Sequence, residues 1–270
     1  MEFLCGVYGV SRSGYYAWRS RKPSKREMAN RELTKEIRRI HDRSRNVYGS
    51  PRVQKALRQQ GIRVNHKRTE RIMREEGIKG RICSVYWRTA GIHRFFDKAD
   101  NVLRERGGPT GINQVWVGDI TFIKLNRKWK YLAIVMDLYS RRVLGWSLGD
   151  RRTSGLTSRA LRNALKKRTP KPGLVFHSDR GVEYLSCEYY GLLNKYGIVP
   201  SMNRPGHCQD NAHMESFIHS LKGELLRGRR FKTGAELANA INGYINFYNS
   251  RRLHSGIEYK TPVEYERLVG

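Results

Sequence analysis

The chain has 270 residues, with 53 Lys and Arg against 24 Asp and Glu, a formal charge of +29 at pH 7 and an isoelectric point near 10.4. This length holds one large domain or two modest ones, and 39% apolar residues suffice for a buried core. No apolar run approaches the ~20 residues that cross a bilayer. The four cysteines lie far apart with no C-x-x-C pair, which excludes a disulfide scaffold and fits reduced thiols in a cytoplasmic setting. No apolar leader followed by a small-residue cleavage site is seen at the start. A positive surplus of this size repels itself in a compact chain, so a polyanion is expected to balance it, and nucleic acid is the candidate whose counterion release drives such binding.

The charge is uneven. Residues 1–107 carry 27 basic and 11 acidic groups, and residues 108–270 carry 26 and 13 over a longer stretch. Composition and period divide the chain into a basic helical region (1–107), a second region of different period (108–230) and a C-terminal helical extension (231–270). Gly107-Gly108-Pro109 favours a turn at the first boundary.

In the first region Leu33, Ile37 and Ile40 recur at helical spacing. A helix opened by Pro51 and closed by Gly61 is followed by a second, at roughly 66–76, capped by Asn65 and ended by Gly77. Lys67, Arg71 and Arg74 fall at i, i+4 and i+7 on it, with Arg68 adjacent, which suggests a helix-turn-helix whose second helix meets DNA. A solvated basic face on a small bundle gives the same pattern. The segment 10–19 (VSRSGYYAWR) reads as the tail of a similar unit, with Tyr15, Tyr16 and Trp18 expected in its core.

The second region changes period. Val115–Leu125 (VWVGDITFIKL) is apolar on both faces and reads as a central strand. Asn126-Arg-Lys-Trp reads as a polar turn, followed by strands at 130–139 and 142–148. A helix at about 155–168, a strand at 174–177, a helix at 186–196, a strand at 199–202 and a long helix at roughly 210–227 complete an α/β domain with a mixed five-stranded sheet.

Three carboxylates stand where a fold does not need them. Asp119 interrupts the central strand, Asp179 follows the fourth strand in HSDRG, and Glu215 opens the last helix in DNAHMESF. Each alone could be a turn, cap or ion-pair residue. A lone buried carboxylate is costly unless paired or bound to a cation, and hard oxygen ligands from separate elements suit Mg²⁺.

Thirty-five residues separate Asp179 from Glu215. With WVGDIT (116–121) ahead of them, the set resembles the D, D-35-E signature of the retroviral-integrase and transposase superfamily. DLYSR (137–141), HSDRG (177–181), NAHMESF (211–217) with LKGE (221–224), and YNSRRLH (248–254) with Thr261-Pro262 follow in an order that resembles the second-frame (OrfB) transposases of the insertion sequence three family. VSRSGYYAW and YGSPRV resemble its helical region. Two positions depart: Gly118, where Thr is more usual, and Ile257, where Leu is.

The resemblance implies an RNase H-like integrase core. It implies catalysis by Asp119, Asp179 and Glu215 holding two Mg²⁺ ions (Mn²⁺ substituting), Asp119 bridging, with water as nucleophile for nicking and a DNA 3′-hydroxyl for strand transfer. Its partners would be insertion-sequence ends and target DNA, a first-frame (OrfA) product joined by frameshifting, and further copies of the chain on DNA, in a bacterial cytoplasm at the nucleoid. The alternatives are a non-catalytic DNA-binding protein and an RNase H-like nuclease.

Other candidates are secondary. Lys222, seven residues after Glu215 and so nearly on its face, is expected to hold a DNA phosphate. Arg229 and Arg230, in the basic stretch 227–232, are expected to follow the DNA backbone. Phe217, Ile218, Leu221 and Leu225 form the packing face beside that stripe. Asp137 with Ser140 and Arg141 is expected to order a turn. His207, Cys208, His213 and His219 lack zinc-finger spacing. His177 is open between positioning a ligand and a structural hydrogen bond, and Arg252 and His254 between DNA contact and bracing.

Overall fold

The computed structural model describes residues 1–81, 101–103, 107–204 and 211–269. The chain forms two compact units, Met1–Gly80 and Arg81–Gly270. The residues of the expected turn, 107–109, lie in the second unit. His207 and Cys208, whose spacing does not suit zinc, lie outside the described residues.

The first unit is helical: α1 (Glu2–Val7), α2 (Arg12–Ser20), α3 (Lys25–Arg43), α4 (Ser50–Gln59) and α5 (His66–Glu75). Leu33, Ile37 and Ile40 of α3 bury the expected stripe against Val53 and Leu57 of α4 and Ile72 and Met73 of α5. The α4–α5 turn is set by Gly61 in the left-handed region (φ +82°) and by Asn65, whose side chain accepts from Lys67 N at 3.0 Å. The aromatic residues of α2 contradict the expected core placement, since Trp18 is 66% and Tyr16 48% exposed. A helix this short and amphipathic lines no core of its own.

The second unit is a five-stranded sheet of order β3-β2-β1-β4-β5. Its strands are β1 (Val115–Leu125), β2 (Lys128–Asp137), β3 (Val143–Gly149), β4 (Val175–Ser178) and β5 (Val199–Met202). The first three form an antiparallel meander, and β4 and β5 add parallel to β1. The β1–β2 turn is tighter than expected. Asn126 takes φ 55°, so Lys128 and Trp129 join the ladder opposite Leu125 and Lys124. Asn tolerates the left-handed region that a two-residue hairpin turn needs.

Helices α6 (Ser154–Leu165) and α7 (Cys187–Lys195) cover one face of the sheet, packing Leu156, Leu161 and Leu193 with Trp116, Val135 and Phe176. The other face is covered by α8 (Ala212–Leu221), which continues as a π-helical turn over Lys222–Leu226, and by α9 (Gly234–Ser250). Leu237, Ile241, Tyr244 and Tyr248 of α9 share one core with Val117, Ile134 and Phe217. Within the expected C-terminal extension, α9 thus packs into the core of this unit. A last helix, α10 (Pro262–Val269), is fixed by Glu266, which accepts from Ser140 Oγ at 2.7 Å and pairs with Arg142 and Arg168.

Candidate active site

The pairing of β1 with β4 brings the first two carboxylates together. Val115, Trp116 and Val117 lie opposite Val175, Phe176 and His177, and two residues further along are Asp119 and Asp179. The parallel pairing ends here, at the carboxyl end of β4, while β1 runs on to Leu125; the carboxyl ends of parallel strands are where α/β sheets place their ligands. Gly118, just before Asp119, has a local reason. A Cβ there would stand 2.5 Å from the Phe176 ring, so the aromatic residue of β4 takes the space a larger side chain would need.

Asp119 accepts a hydrogen bond from Ile120 N at 2.7 Å. Burial and the charge of Asp179 nonetheless push its carboxyl up to about 7, and Glu215 adds a smaller push in the same direction. Asp179 accepts from Gly181 N at 3.1 Å, and burial raises it too, against the pull of Arg152. Glu215, in the first turn of α8, is raised by partial burial. All three are thus raised above their ordinary values, chiefly by burial, and the charges of Asp179 and Glu215 both act on Asp119.

Asn211 sets where α8 begins. Its Nδ2 donates to Gly118 O at 3.2 Å, and the residue is buried. The helix that carries Glu215 is thereby tied to the strand that carries Asp119, a contact between distant segments that local spacing could not announce. Met214, Phe217, Leu221 and Leu225 are buried while Glu215 faces out, as the helical pattern predicts.

Lys222 lies at the site's edge. Its Nζ stands 4.7 Å from the centre of the Phe122 ring, and burial lowers its pKa while the charge of Asp119 opposes that fall. Arg229 and Arg230 are exposed beyond the π-turn.

Two residues that sequence spacing did not single out stand beside Asp179. Arg152 reaches Asp179 Oδ2 at 3.7 Å and Glu183 Oε1 at 2.8 Å. Glu183 is buried, and its charge also raises Asp179. Arg152 is exposed in its loop before α6, so nothing local marks it.

The open alternatives resolve toward structure. His177 is fully buried between Ser201 Oγ at 2.9 Å and Asn203 Oδ1 at 2.6 Å, bracing β4 to β5. Arg252 is buried and binds Glu224 of the π-turn at 2.6 and 2.9 Å, while His254 meets Tyr248 O at 3.2 Å. Asp137 accepts from Asn113, Tyr139 and Ser140 backbone N–H groups and orders the turn before β3. In the first unit Lys67 and Arg74 are exposed, whereas Arg68 donates a fork to Asn30 Oδ1 at 2.8 and 3.0 Å. That fork ties α5 to α3 and spends the guanidinium that sequence reading gave to DNA. Arg71 lies 3.7 Å from Glu75.

Among the described residues no three His, Cys, Asp or Glu side chains are gathered as closely as a bound ion gathers its ligands. The donor set still fits a hard divalent cation. Carboxylates are its preferred ligands, and their shared burial and repulsion are what a cation would relieve.

Residues 109–208 and 196–262 match the family model described as an integrase core domain, and residues 28–83 match an HTH-like domain. The 31 kDa protein of insertion element IS600 from Shigella sonnei is 38% identical over 263 residues, covering 97% of both chains. Transposase InsF of IS3A from Escherichia coli K12 is 34% identical, covering 98% of this chain and 93% of its own. The chain belongs to the insertion sequence three (IS3) transposase family. A chain in the structure of the simian T-cell lymphotropic virus intasome with the PP2A regulatory subunit B56 gamma matches with a TM-score of 0.50 at 18% identity. It covers 79% of this chain and 70% of its own, a likeness of fold. Within the family pattern, the helix-turn-helix reading of α4 and α5 and the integrase-type sheet both stand.

Proposed function

We propose that the chain is the catalytic subunit of a transposase that nicks DNA at insertion-sequence ends and joins the freed 3′-hydroxyl to target DNA. Asp119, Asp179 and Glu215 would hold Mg²⁺, two ions in all. The observation that carries this is the register of β1 and β4, which sets Asp119, within β1, and Asp179, just past the end of β4, each two residues beyond the last pair, with the charges of Asp179 and Glu215 both acting on Asp119. Membership of a family of DNA-cleaving transposases and the match to the integrase core support it.

When bound, the metal would activate the attacking oxygen and stabilise the leaving one. The chain's own residues do the rest. Asn211 fixes the start of α8 against β1, so that Glu215 is presented from a braced helix. Arg152 holds Asp179 and Glu183 in place. Lys222 offers a cation to the phosphate lying nearest Asp119. Lys67, Arg71 and Arg74 on α5, with Arg229 and Arg230, would meet phosphates away from the cut. A first-frame partner protein and further copies of the chain would complete the assembly on DNA, at the bacterial nucleoid.

The test is a joining reaction: a 3′-hydroxyl oligonucleotide from the element's end is mixed with plasmid and Mg²⁺. Covalent joining supports the proposal. Cleavage of RNA–DNA hybrid without joining points to a nuclease, and tight binding with no new phosphodiester to a DNA-binding protein.

A further inference from the structure

The outward face of the β1–β2 hairpin carries an aromatic pair that the fold does not bury. Phe122 is 40% and Trp129 48% exposed, and their rings meet edge to face with centres 5.2 Å apart at 88°. Phe122 lies opposite Tyr131, and Trp129 opposite Lys124, so the two are diagonal neighbours on one sheet face. The edge contact fixes both rings in advance of any partner, which lowers the entropic cost of stacking on them.

The surroundings are cationic. Lys124 Nζ stands 5.9 Å from the Trp129 ring and Lys222 Nζ 4.7 Å from the Phe122 ring. Residues 120–136 contain Lys124, Arg127, Lys128 and Lys130 and no carboxylate, and of these Lys130 is paired with Asp150. Exposed rings framed by cations are the chemistry of single-stranded nucleic acid, in which bases stack and phosphates pair. Phe122, three residues past Asp119, projects from the other face of β1, and Lys222 is what links the two, its Nζ lying over the Phe122 ring and in the field of Asp119.

We propose that Phe122 and Trp129, framed by Lys124 and Lys222, form a stacking platform for unpaired nucleotides at the DNA end beside the carboxylates. A phosphate held by Lys222 would lie in the field of Asp119 and over the edge of the platform at once. Opening the terminal base pairs would then be stabilised by the protein, and the strand to be cut would be held apart from its complement. This rests on the reading of the chain as a DNA-end-processing enzyme, although binding at the platform needs no metal and no chemistry.

The experiment uses the full chain with EDTA present, so the fate of the metal-site assignment does not affect it. Two duplexes of one sequence are compared, one fully paired and one with a short unpaired 3′ end carrying 2-aminopurine. Wild type should quench the fluorophore and prefer the unpaired end. Phe122→Leu with Trp129→Leu keeps apolar bulk in the strand while removing both rings. This variant should keep its melting temperature, lose the quench and lose about tenfold in affinity for the unpaired end, with paired duplex changed far less. Lys124→Ala should weaken both duplexes alike. A wild type with no preference for the unpaired end, or a double variant that retains preference and quench, overturns the platform. Equal loss on both duplexes also overturns it, by reducing the pair to a general contact. An early-melting leucine variant that still quenches would do the same.

Discussion

Asp119 and Asp179 stand at matching positions on neighbouring parallel strands, two residues beyond the last paired residues Val117 and His177. Burial, and after it the charge of Asp179, hold the Asp119 carboxyl up to about 7.

This has a sign that can be measured. A cation binds the ionised carboxyl, so Mg²⁺ binding near neutral pH should release a proton, and affinity should fall as pH drops below about 7. Calorimetry in buffers of different ionisation enthalpy reads the released proton directly. Without metal the raised carboxyl costs stability: the penalty is absent at low pH, grows as pH rises through the unfolded value near 3.8, and is complete above 7. Asp119→Asn should therefore raise the metal-free Tm at about pH 8 and leave it unchanged at about pH 3.5. A Tm gain equal at both pH values would contradict the raised pKa.

Much of this was legible in sequence because Asp119 breaks an apolar strand and Asp179 ends another. A charge where burial is expected is a local signal. The helix of Glu215 announced itself by the apolar period of Phe217, Ile218, Leu221 and Leu225. Asn211, Arg152 and Glu183 gave no such signal, since their roles depend on contacts with segments far away in sequence. Residues 231–270 were read as an extension because the helical period of α9 says that one face is apolar but not that it packs on Val117 and Ile134. The α2 aromatic residues show the converse: a ring-rich segment suggested a core that so short a helix does not form.

Lys222 and Leu221 separate chemistry from packing on adjacent positions. Lys222→Ala should slow strand transfer and weaken end binding with Tm nearly unchanged, and Lys222→Arg should keep part of the activity because charge is retained. Leu221 is fully buried, so Leu221→Ala should lower stability by roughly 2–5 kcal/mol. Melting curves and joining assays on both variants check this. Early melting for Lys222→Ala with normal melting for Leu221→Ala would place the helix in the wrong register.

The Glu224–Arg252 pair should be a stability element. Both side chains are buried, and Tyr244 Oη also donates to Glu224 Oε2 at 2.9 Å. Removing one partner strands the other charge, at a cost of about 3–5 kcal/mol. Arg252→Met should therefore lose far more in denaturant midpoint than Arg252→Met combined with Glu224→Leu. Equal losses would mean that the pair is not energetically coupled.

In the first unit, Lys67, Arg71 and Arg74 should behave differently from Arg68. Replacing the three by Ala should flatten the salt dependence of DNA binding, with each lost phosphate contact reducing the log–log slope by about 0.9. Arg68→Ala should leave the slope in place and lower the melting temperature, because its fork to Asn30 joins α5 to α3. Titrations across salt concentrations, with melting curves alongside, distinguish the two groups. A flattened slope for Arg68→Ala at unchanged Tm would return that residue to the DNA face.

The central claim is that Asp119, Asp179 and Glu215 act as one cation-holding set. The most direct measurement is Mg²⁺-dependent strand transfer by Asp119→Asn, Asp179→Asn and Glu215→Gln, with DNA binding measured on the same preparations. Each variant loses a charged ligand and adds no repulsion toward DNA, so transfer should be abolished in all three while binding stays at or above the wild-type level. Strand transfer that survives any one of the three substitutions at ordinary Mg²⁺ would contradict the account.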